Sequence, residues 1–172
     1  SARKVDFEFT PPYLSLPTAL FTHENSPPLG QISELTGKKV AVVIGYAMEN
    51  YLRAQCPGVV LEPVRDVPAA LKMLESGEAY AYAGSLLVTS HYIQRGGHAR
   101  IKVAGDIDFV YQPAFVGRAE SKILVGILSK ALAGIGDQER NAIARKWMTV
   151  TYEQHIDYRK LYKYVAGALA LL

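Results

Sequence analysis

The feature that most constrains the fold is a succession of three strand, turn and helix units between residues 38 and 95. Each unit begins with a short run of apolar residues, many of them β-branched, and continues after a turn into a segment with helical periodicity. The strands are predicted at residues 38–44, 59–64 and 79–84, and the helices at 45–55, 67–76 and 85–95. Apolar strands that alternate with helices are typical of parallel pairing. The sequence therefore predicts an α/β fold, with a mainly parallel sheet flanked by helices.

The helix signals in these units are local. Asp66 is a candidate N-cap, since a side-chain oxygen there can accept a hydrogen bond from a first-turn N–H group. Val67, Ala70, Leu71 and Leu74 form one apolar stripe, and Gly77 ends the helix.

Other segments flank these three units. Strands are predicted at residues 4–10, 16–23, 101–104 and 113–118, with Asp106 and Asp108 in a loop. Helices are predicted at residues 121–134 and 137–148, followed by a final helical stretch from about residue 156.

Composition and side-chain spacing argue against several functional classes. The net charge of +3 is small, and Lys and Arg are scattered among 16 acidic residues, which disfavours nucleic acid as a partner. The single cysteine, Cys56, excludes an internal disulfide framework, and the four histidines lie far apart in the sequence. No nucleophile and base pair and no nucleotide-binding loop is recognisable. We therefore expect no metal, no cofactor and no enzyme active site in this chain.

The best candidate for a binding site is the carboxyl edge of the predicted parallel sheet. Open α/β sheets bind ligands there, where helix N-termini present unpaired N–H groups that favour anions. A ligand site is predicted at Tyr13, Gly45, Tyr46, Ala47, Gly84, Ser85 and Tyr111. Two alternatives stay open: Gly45 only makes a tight turn, and each tyrosine is a half-buried packing residue and not part of a pocket wall.

Several stretches together resemble the type-3 bacterial periplasmic solute-binding proteins, which are two-lobed Venus flytrap modules. The matching pieces run in family order from Val5 to Met148, and include "VDFEFTPPYLSLPTALFT", "LTGKKVAVVIGYAMENYL" and "IKVAGDIDFVYQPAFVGRAES". The resemblance implies that residues 1–19 cross from the first lobe and that residues 20–110 form the second lobe. Residues 111–150 would then be the return strand and helices of the first lobe, most of which precedes Ser1.

The resemblance also implies that part of the first lobe is missing and that one position departs from the family pattern. The apolar faces of the helices from residue 121 onward would lack their usual sheet, so we expect them to pack on a second chain, as in a homodimer, or on the second lobe. Amino-acid binders commonly carry an acidic residue where this chain has Ser85, which puts an α-amino acid ligand in doubt.

The end of the chain resembles the segment that joins a flytrap domain to the membrane in virulence-type sensor kinases. Tyrosines and basic residues at positions 158–164 precede an uncharged run to Leu172, as at the start of a transmembrane span. Residues 151–172 are therefore expected to be a juxtamembrane helix. The resemblance implies a periplasmic solute-sensing domain that is anchored in the inner membrane and binds an amino acid or organic anion. The alternatives are the solute-binding subunit of an ABC importer and the flytrap domain of a cell-wall lytic enzyme.

Overall fold

A computed structural model describes residues 7–136, 138–140 and 142–143, and divides them into a large unit and a small unit. The large unit is a five-stranded sheet with three α-helices, and the small unit is a two-stranded sheet with one α-helix. The strands are β1 Phe7–Phe9, β2 Leu16–His23, β3 Lys39–Val43, β4 Val60–Val64, β5 Ala81–Ser85, β6 Ile101–Tyr111 and β7 Val116–Arg118. The helices are α1 Ala47–Gln55, α2 Val67–Ser76, α3 Leu86–Gly96 and α4 Lys122–Ala133, with short 3-10 turns at Ile32–Leu35 and Ala119–Ser121.

The sheet of the large unit confirms the predicted α/β class. Its strand order is β4-β3-β5-β2-β6, and β3 pairs in parallel with both β4 and β5. Strand β2 is antiparallel to both β5 and β6, so four of the five strands run in one direction. The carboxyl ends of β3, β4 and β5 therefore meet at one edge of the sheet, as predicted.

The core of the large unit lies on both faces of this sheet. On one face α2 and α3 bury Leu71, Leu74 and Tyr82 against the strands. On the other face α1 buries Met48 and Leu52 together with the turn around Leu35. Burial on both faces explains why the parallel strands are almost continuously apolar.

The long strand β6 differs from its prediction. The sequence predicted a strand that ends at Ala104 and a loop that holds Asp106 and Asp108, but β6 continues to Tyr111. Its pairing with β2 is interrupted twice by register shifts, so the alternation of apolar and polar residues is broken. At Gly105 a Cβ atom would lie 2.5 Å from the carbonyl oxygen of Leu29, so this glycine allows a neighbouring loop to approach the strand closely.

The small unit is built on the pairing of β1 with β7. Helix α4 packs on the side of this pair where Gly117 lies, and its Val125 is buried there. On α4 the side chains of Ile123, Leu124 and Ile127 are 81%, 56% and 59% exposed. The expectation that the large unit covers this face is therefore wrong, while cover by a second chain stays a prediction. The predicted helix at 137–148 lies mostly outside the described residues.

Candidate functional site

Three strand ends build the candidate site at the carboxyl edge of the large unit. Strand β3 leads into Gly45, Tyr46 and Ala47, β4 leads into Asp66, and β5 ends at Ser85. Gly45 has a φ of 78°, a left-handed conformation that glycine adopts without strain, and it makes the tight turn into α1. The parallel register thus brings together turns that are about 20 residues apart in the sequence.

The three helices that start at this edge are capped differently. Asp66 accepts a hydrogen bond from the Ala69 N–H at 2.9 Å, and Ser85 accepts a longer one from the Val88 N–H at 3.5 Å. Tyr46 occupies the N-cap position of α1 but makes no side-chain capping bond. Among the described residues no hydrogen bond to the Ala47 N–H is found. The first turn of α1 is therefore the part of the edge best able to bind an acceptor group.

Aromatic side chains line the edge beside α1. Tyr46 and Tyr111 meet edge to face with ring centroids 6.0 Å apart, and Phe109 lies 5.0 Å from both Tyr111 and Tyr51. Tyr46 is 53% exposed, while the hydroxyl of Tyr111 is buried and has no hydrogen-bond partner of regular geometry among the described residues. Burial raises the pKa of Tyr111 to about 12, Tyr46 adds to the shift, and the Met48 backbone opposes it. The Tyr111 hydroxyl is therefore neutral over the physiological pH range.

Gly84 has a packing role that its sequence position did not reveal. A Cβ atom at Gly84 would lie 2.7 Å from Cε1 of Tyr82, and closer still to Cζ and Oη. The Tyr82 phenol therefore fills the space where a side chain at position 84 would lie. Burial raises the pKa of Tyr82 well above its ordinary value, although the neighbouring Thr89 side chain opposes the shift. Position 84 consequently presents only its backbone at the edge.

Tyr13 lies apart from the strand ends, in the segment that connects the two units. Its ring stacks on Phe115 with centroids 4.8 Å apart, and its N–H donates to the carbonyl of Pro113 at 3.1 Å. Tyr13 therefore sits opposite the return segment after Tyr111. The structure groups Gly45, Tyr46, Ala47 and Tyr111 around α1, Gly84 and Ser85 at the neighbouring strand end, and Tyr13 at the connection.

The charged side chains around these strand ends include the pair Arg65 and Asp66, and Glu49 in the first turn of α1, which is paired with Arg53 at 3.1 Å. One oxygen of Asp66 caps α2, and the other lies 3.2 Å from Nε of Arg65. Asp66 is thus already engaged by protein groups and is poorly placed to hold a ligand ammonium. Within the described ranges no cluster of three or more His, Cys, Asp or Glu side chains could hold a metal ion.

A cavity of about 420 Å³ lies at the opposite, amino-terminal edge of the large unit. Its lining includes His23, Lys38, Glu75 and Tyr80, and Nζ of Lys38 sits 3.9 Å from the centre of the Tyr80 ring. None of the predicted site residues lines this cavity.

Sequence comparisons show that this chain is similar to bacterial sensor proteins. No family model matches it. The virulence sensor protein BvgS of Bordetella pertussis is 25% identical over 150 residues, which are 86% of this chain and 12% of BvgS. BvgS of Bordetella bronchiseptica is 23% identical over the same length. The chain thus spans about an eighth of the curated relatives it matches.

Comparisons of structure decide the fold. The periplasmic VFT2 domain of Bordetella pertussis BvgS superposes with a TM-score of 0.75 and 24% identity, over 85% of this chain and 63% of that one. A histidine kinase sensor domain with similarity to periplasmic binding proteins superposes with a TM-score of 0.76 and 23% identity. The match covers 87% of this chain and 66% of that one. The chain has the Venus flytrap fold. An ancestral arginine-binding protein bound to glutamine shares this fold, with a TM-score of 0.72 and 25% identity over 86% of this chain and 67% of that one.

The Venus flytrap fold is the fold that the resemblance of the sequence implied. The large unit, a sheet flanked by helices, corresponds to one lobe of this fold. Among the described residues no helix is long and apolar enough to cross a membrane. The predicted juxtamembrane helix at 151–172 lies outside those residues.

Sequence reasoning missed the residues that support the site. Phe109 was missed because Gly105 and the two aspartates ended the predicted strand too early. Tyr82 was not among the predicted site residues, although its position two residues before Gly84 on one strand face was a usable signal. Phe115 carried no local signal for its contact with Tyr13.

Proposed function

We propose that this chain is part of a periplasmic solute-sensing domain of a transmembrane signalling receptor of the sensor kinase type. The observation that carries the proposal is the match to BvgS along 86% of the chain, together with a flytrap lobe of the same architecture. A solute bound between two lobes shifts the balance of open and closed forms by the difference in its affinity for them. Signalling chemistry then belongs to another part of the receptor.

The chemistry of the carboxyl edge favours an organic anion or an amino-acid-like metabolite whose acidic group faces α1. The first turn of α1 supplies N–H donors and the positive end of the helix dipole, and Tyr46 supplies an exposed aromatic wall. Asp66 is committed to its own helix and to Arg65, and Glu49 in the first turn of α1 is paired with Arg53, so the large unit offers a ligand ammonium no carboxylate that lacks a protein partner at these two turns. The proposed ligand-binding residues also include Ser85 and Tyr13, which offer hydroxyl groups at the margins of the site.

The same proposal assigns each segment of the chain to a part of the receptor. The solved flytrap chains are longer, since this chain covers 63–66% of the sensor domains. We assign residues 1–19 and 111–150 to the incomplete lobe and 20–110 to the complete lobe. Residues 151–172 would lead to a membrane span, and the exposed face of α4 would be covered in a homodimer.

A solute-binding subunit of an ABC importer is the second candidate. It is supported by the likeness to the ancestral arginine-binding protein bound to glutamine. The coding sequence of the gene downstream of residue 172 distinguishes the two candidates. A membrane span there supports the sensor, and a stop codon supports the importer.

A thermal-shift screen of the purified protein against organic acids and amino acids tests solute binding. A ligand at a hundred times its dissociation constant adds about 2.7 kcal/mol to the free energy of unfolding. The variant Ala47→Pro removes one N–H donor while proline remains favourable at the first helical position, and Tyr46 already has the extended backbone required before proline. The variant Ala47→Gly keeps the N–H and is the matched control.

The proposal expects a stabilising acid whose effect is lost in Ala47→Pro and kept in Ala47→Gly. A broad panel without any response, or a response equal in both variants, contradicts solute binding at the first turn of α1.

A further inference from the structure

The cavity at the amino-terminal edge of the large unit is lined by charges of both signs. It has a volume of about 420 Å³ and lies among the residues that precede β3 and β5, the end of β2 and the end of α2. Pockets that bind small organic molecules have volumes of about 300–1,000 Å³. The cavity therefore has room for a small solute, at the sheet edge opposite the candidate site.

The basic end of this cavity is formed by Lys38 and Lys39, where β3 begins. Nζ of Lys38 lies 3.9 Å from the centre of the Tyr80 ring, and no carboxylate of the described residues is paired with it. Lys39 is paired with Glu62 at 3.5 Å, but its side chain is largely exposed. An ammonium group that lies over an aromatic ring keeps hydrogen-bond donors for an anion. Lys38 is therefore well placed to bind the acidic group of a solute.

The acidic end of the cavity is formed by the carboxyl terminus of α2. Glu75 and Glu78 both line the cavity, and the last turn of α2 contains no basic residue. A helix carboxyl terminus carries a partial negative charge, so two carboxylates at this position repel it, and a cationic group would relieve the repulsion.

Both carboxylates keep acceptor capacity for such a cationic group. One oxygen of Glu75 lies 2.9 Å from Nδ1 of His98, and one oxygen of Glu78 accepts from the Ser76 hydroxyl at 3.0 Å. No bond to the second oxygen of either carboxylate is found among the described residues. The backbone carbonyls of Glu75 and Ser76 likewise accept no hydrogen bond from those residues.

Two backbone hydrogen bonds hold the basic and acidic ends in fixed positions relative to each other. The Ala79 N–H donates to the carbonyl of Met73 on α2 at 3.1 Å, and the Tyr80 N–H donates to the carbonyl of Lys39 on β3 at 2.8 Å. Two adjacent residues thus connect the end of α2 to the start of β3. A solute would find both ends already in place, which lowers the entropy cost of binding.

We propose that this cavity is a binding site for a small zwitterion, with the acidic group of the solute at Lys38 and its ammonium group at Glu75 and Glu78. The inference goes beyond the proposed function, because this site lies at the opposite edge of the sheet and uses none of the residues around α1. Either site can therefore be wrong without affecting the other.

The experiment follows the amide chemical shifts of the purified protein in nuclear magnetic resonance spectra during titration with 4-aminobutyrate. Butyrate and butylamine are the control compounds, because they have the same number of carbon atoms and carry only one charge each. The site predicts saturable shifts at Lys38, Lys39 and Glu75 to Ala79 with 4-aminobutyrate. Both control compounds should bind at least about tenfold more weakly, since each lacks one charged contact.

Two variants test the two ends of the site separately. Lys38→Met and Glu78→Gln each remove one charge and keep the length of the side chain, so each should weaken 4-aminobutyrate binding by at least about tenfold. Lys72→Met and Glu120→Gln are the matched controls, because both positions are exposed and neither lines the cavity. They should bind like the wild type, and so should Ala47→Pro, which alters only the opposite edge.

Three results would overturn the proposal. The first is the absence of saturable shifts at the cavity, and the second is butyrate or butylamine binding as tightly as 4-aminobutyrate. The third is unchanged binding in Lys38→Met or in Glu78→Gln. The comparison of the three compounds uses wild-type protein alone, so it decides the proposal even where a variant fails to fold.

Discussion

Replacing Gly84 by alanine tests how tightly the Tyr82 ring packs against Gly84 beside the candidate site. The new Cβ would lie 2.7 Å from Cε1 of Tyr82 and nearer to two other atoms of the phenol. Carbon atoms pack at about 3.5–4.0 Å, so the ring must move by roughly 1 Å in a site where Tyr82 is almost wholly buried. Overpacking of this kind costs about 1–3 kcal/mol of the free energy of unfolding.

Urea unfolding followed by circular dichroism measures this cost, and a double-mutant cycle assigns it to the ring. Gly84→Ala should destabilise wild-type protein but cost little in a Tyr82→Ala background, where the space is empty. Gly126→Ala is the control, because nothing lies within 4 Å of a Cβ there and alanine is favoured in the middle of α4. A cost of Gly84→Ala that is the same with and without the Tyr82 ring would refute the packing argument.

Three further predictions concern the same edge. Asp66→Ala should lower the free energy of unfolding by about 0.5–2 kcal/mol through loss of the α2 cap, and Ser85→Ala by less because its bond is longer, as measured by urea unfolding. Gly45→Ala should cost about 1–2 kcal/mol in the same assay, because its φ of 78° is unfavourable for a side chain; no cost would contradict that turn. Tyr111 should titrate near pH 12 in tyrosinate absorbance, a step absent in Tyr111→Phe. Since the unfolded tyrosine ionises first, near pH 10, its contribution to stability is complete below that pH and is lost as the pH rises to about 12.

The parts of the fold that the sequence predicted well depend on local interactions. The helix Val67–Ser76, its cap Asp66 and its terminator Gly77 were all predicted, because the cap bonds its own first turn and Gly77 adopts a left-handed φ of 75°. The strand Leu16–His23 was predicted with the same bounds. Nearly continuous apolar character was enough to predict the parallel strands.

The parts that the sequence did not predict depend on contacts between distant segments. Gly105 is typical of a strand end, yet it lies inside β6 because a loop 76 residues earlier in the chain, at Leu29, approaches it closely. The stacking of Tyr13 on Phe115 joins residues about 100 positions apart. The burial of the Tyr111 hydroxyl likewise results from the packing of β6 against α1.

The most direct test of the account is to map where a solute binds by amide chemical-shift changes in nuclear magnetic resonance spectra. If solutes bind at the candidate site, organic acids perturb the amides of Gly45 to Met48 and of Ser85, at the carboxyl edge of the large unit. Shifts confined to the cavity lined by His23, Lys38 and Tyr80, at the opposite edge of the sheet, would contradict it.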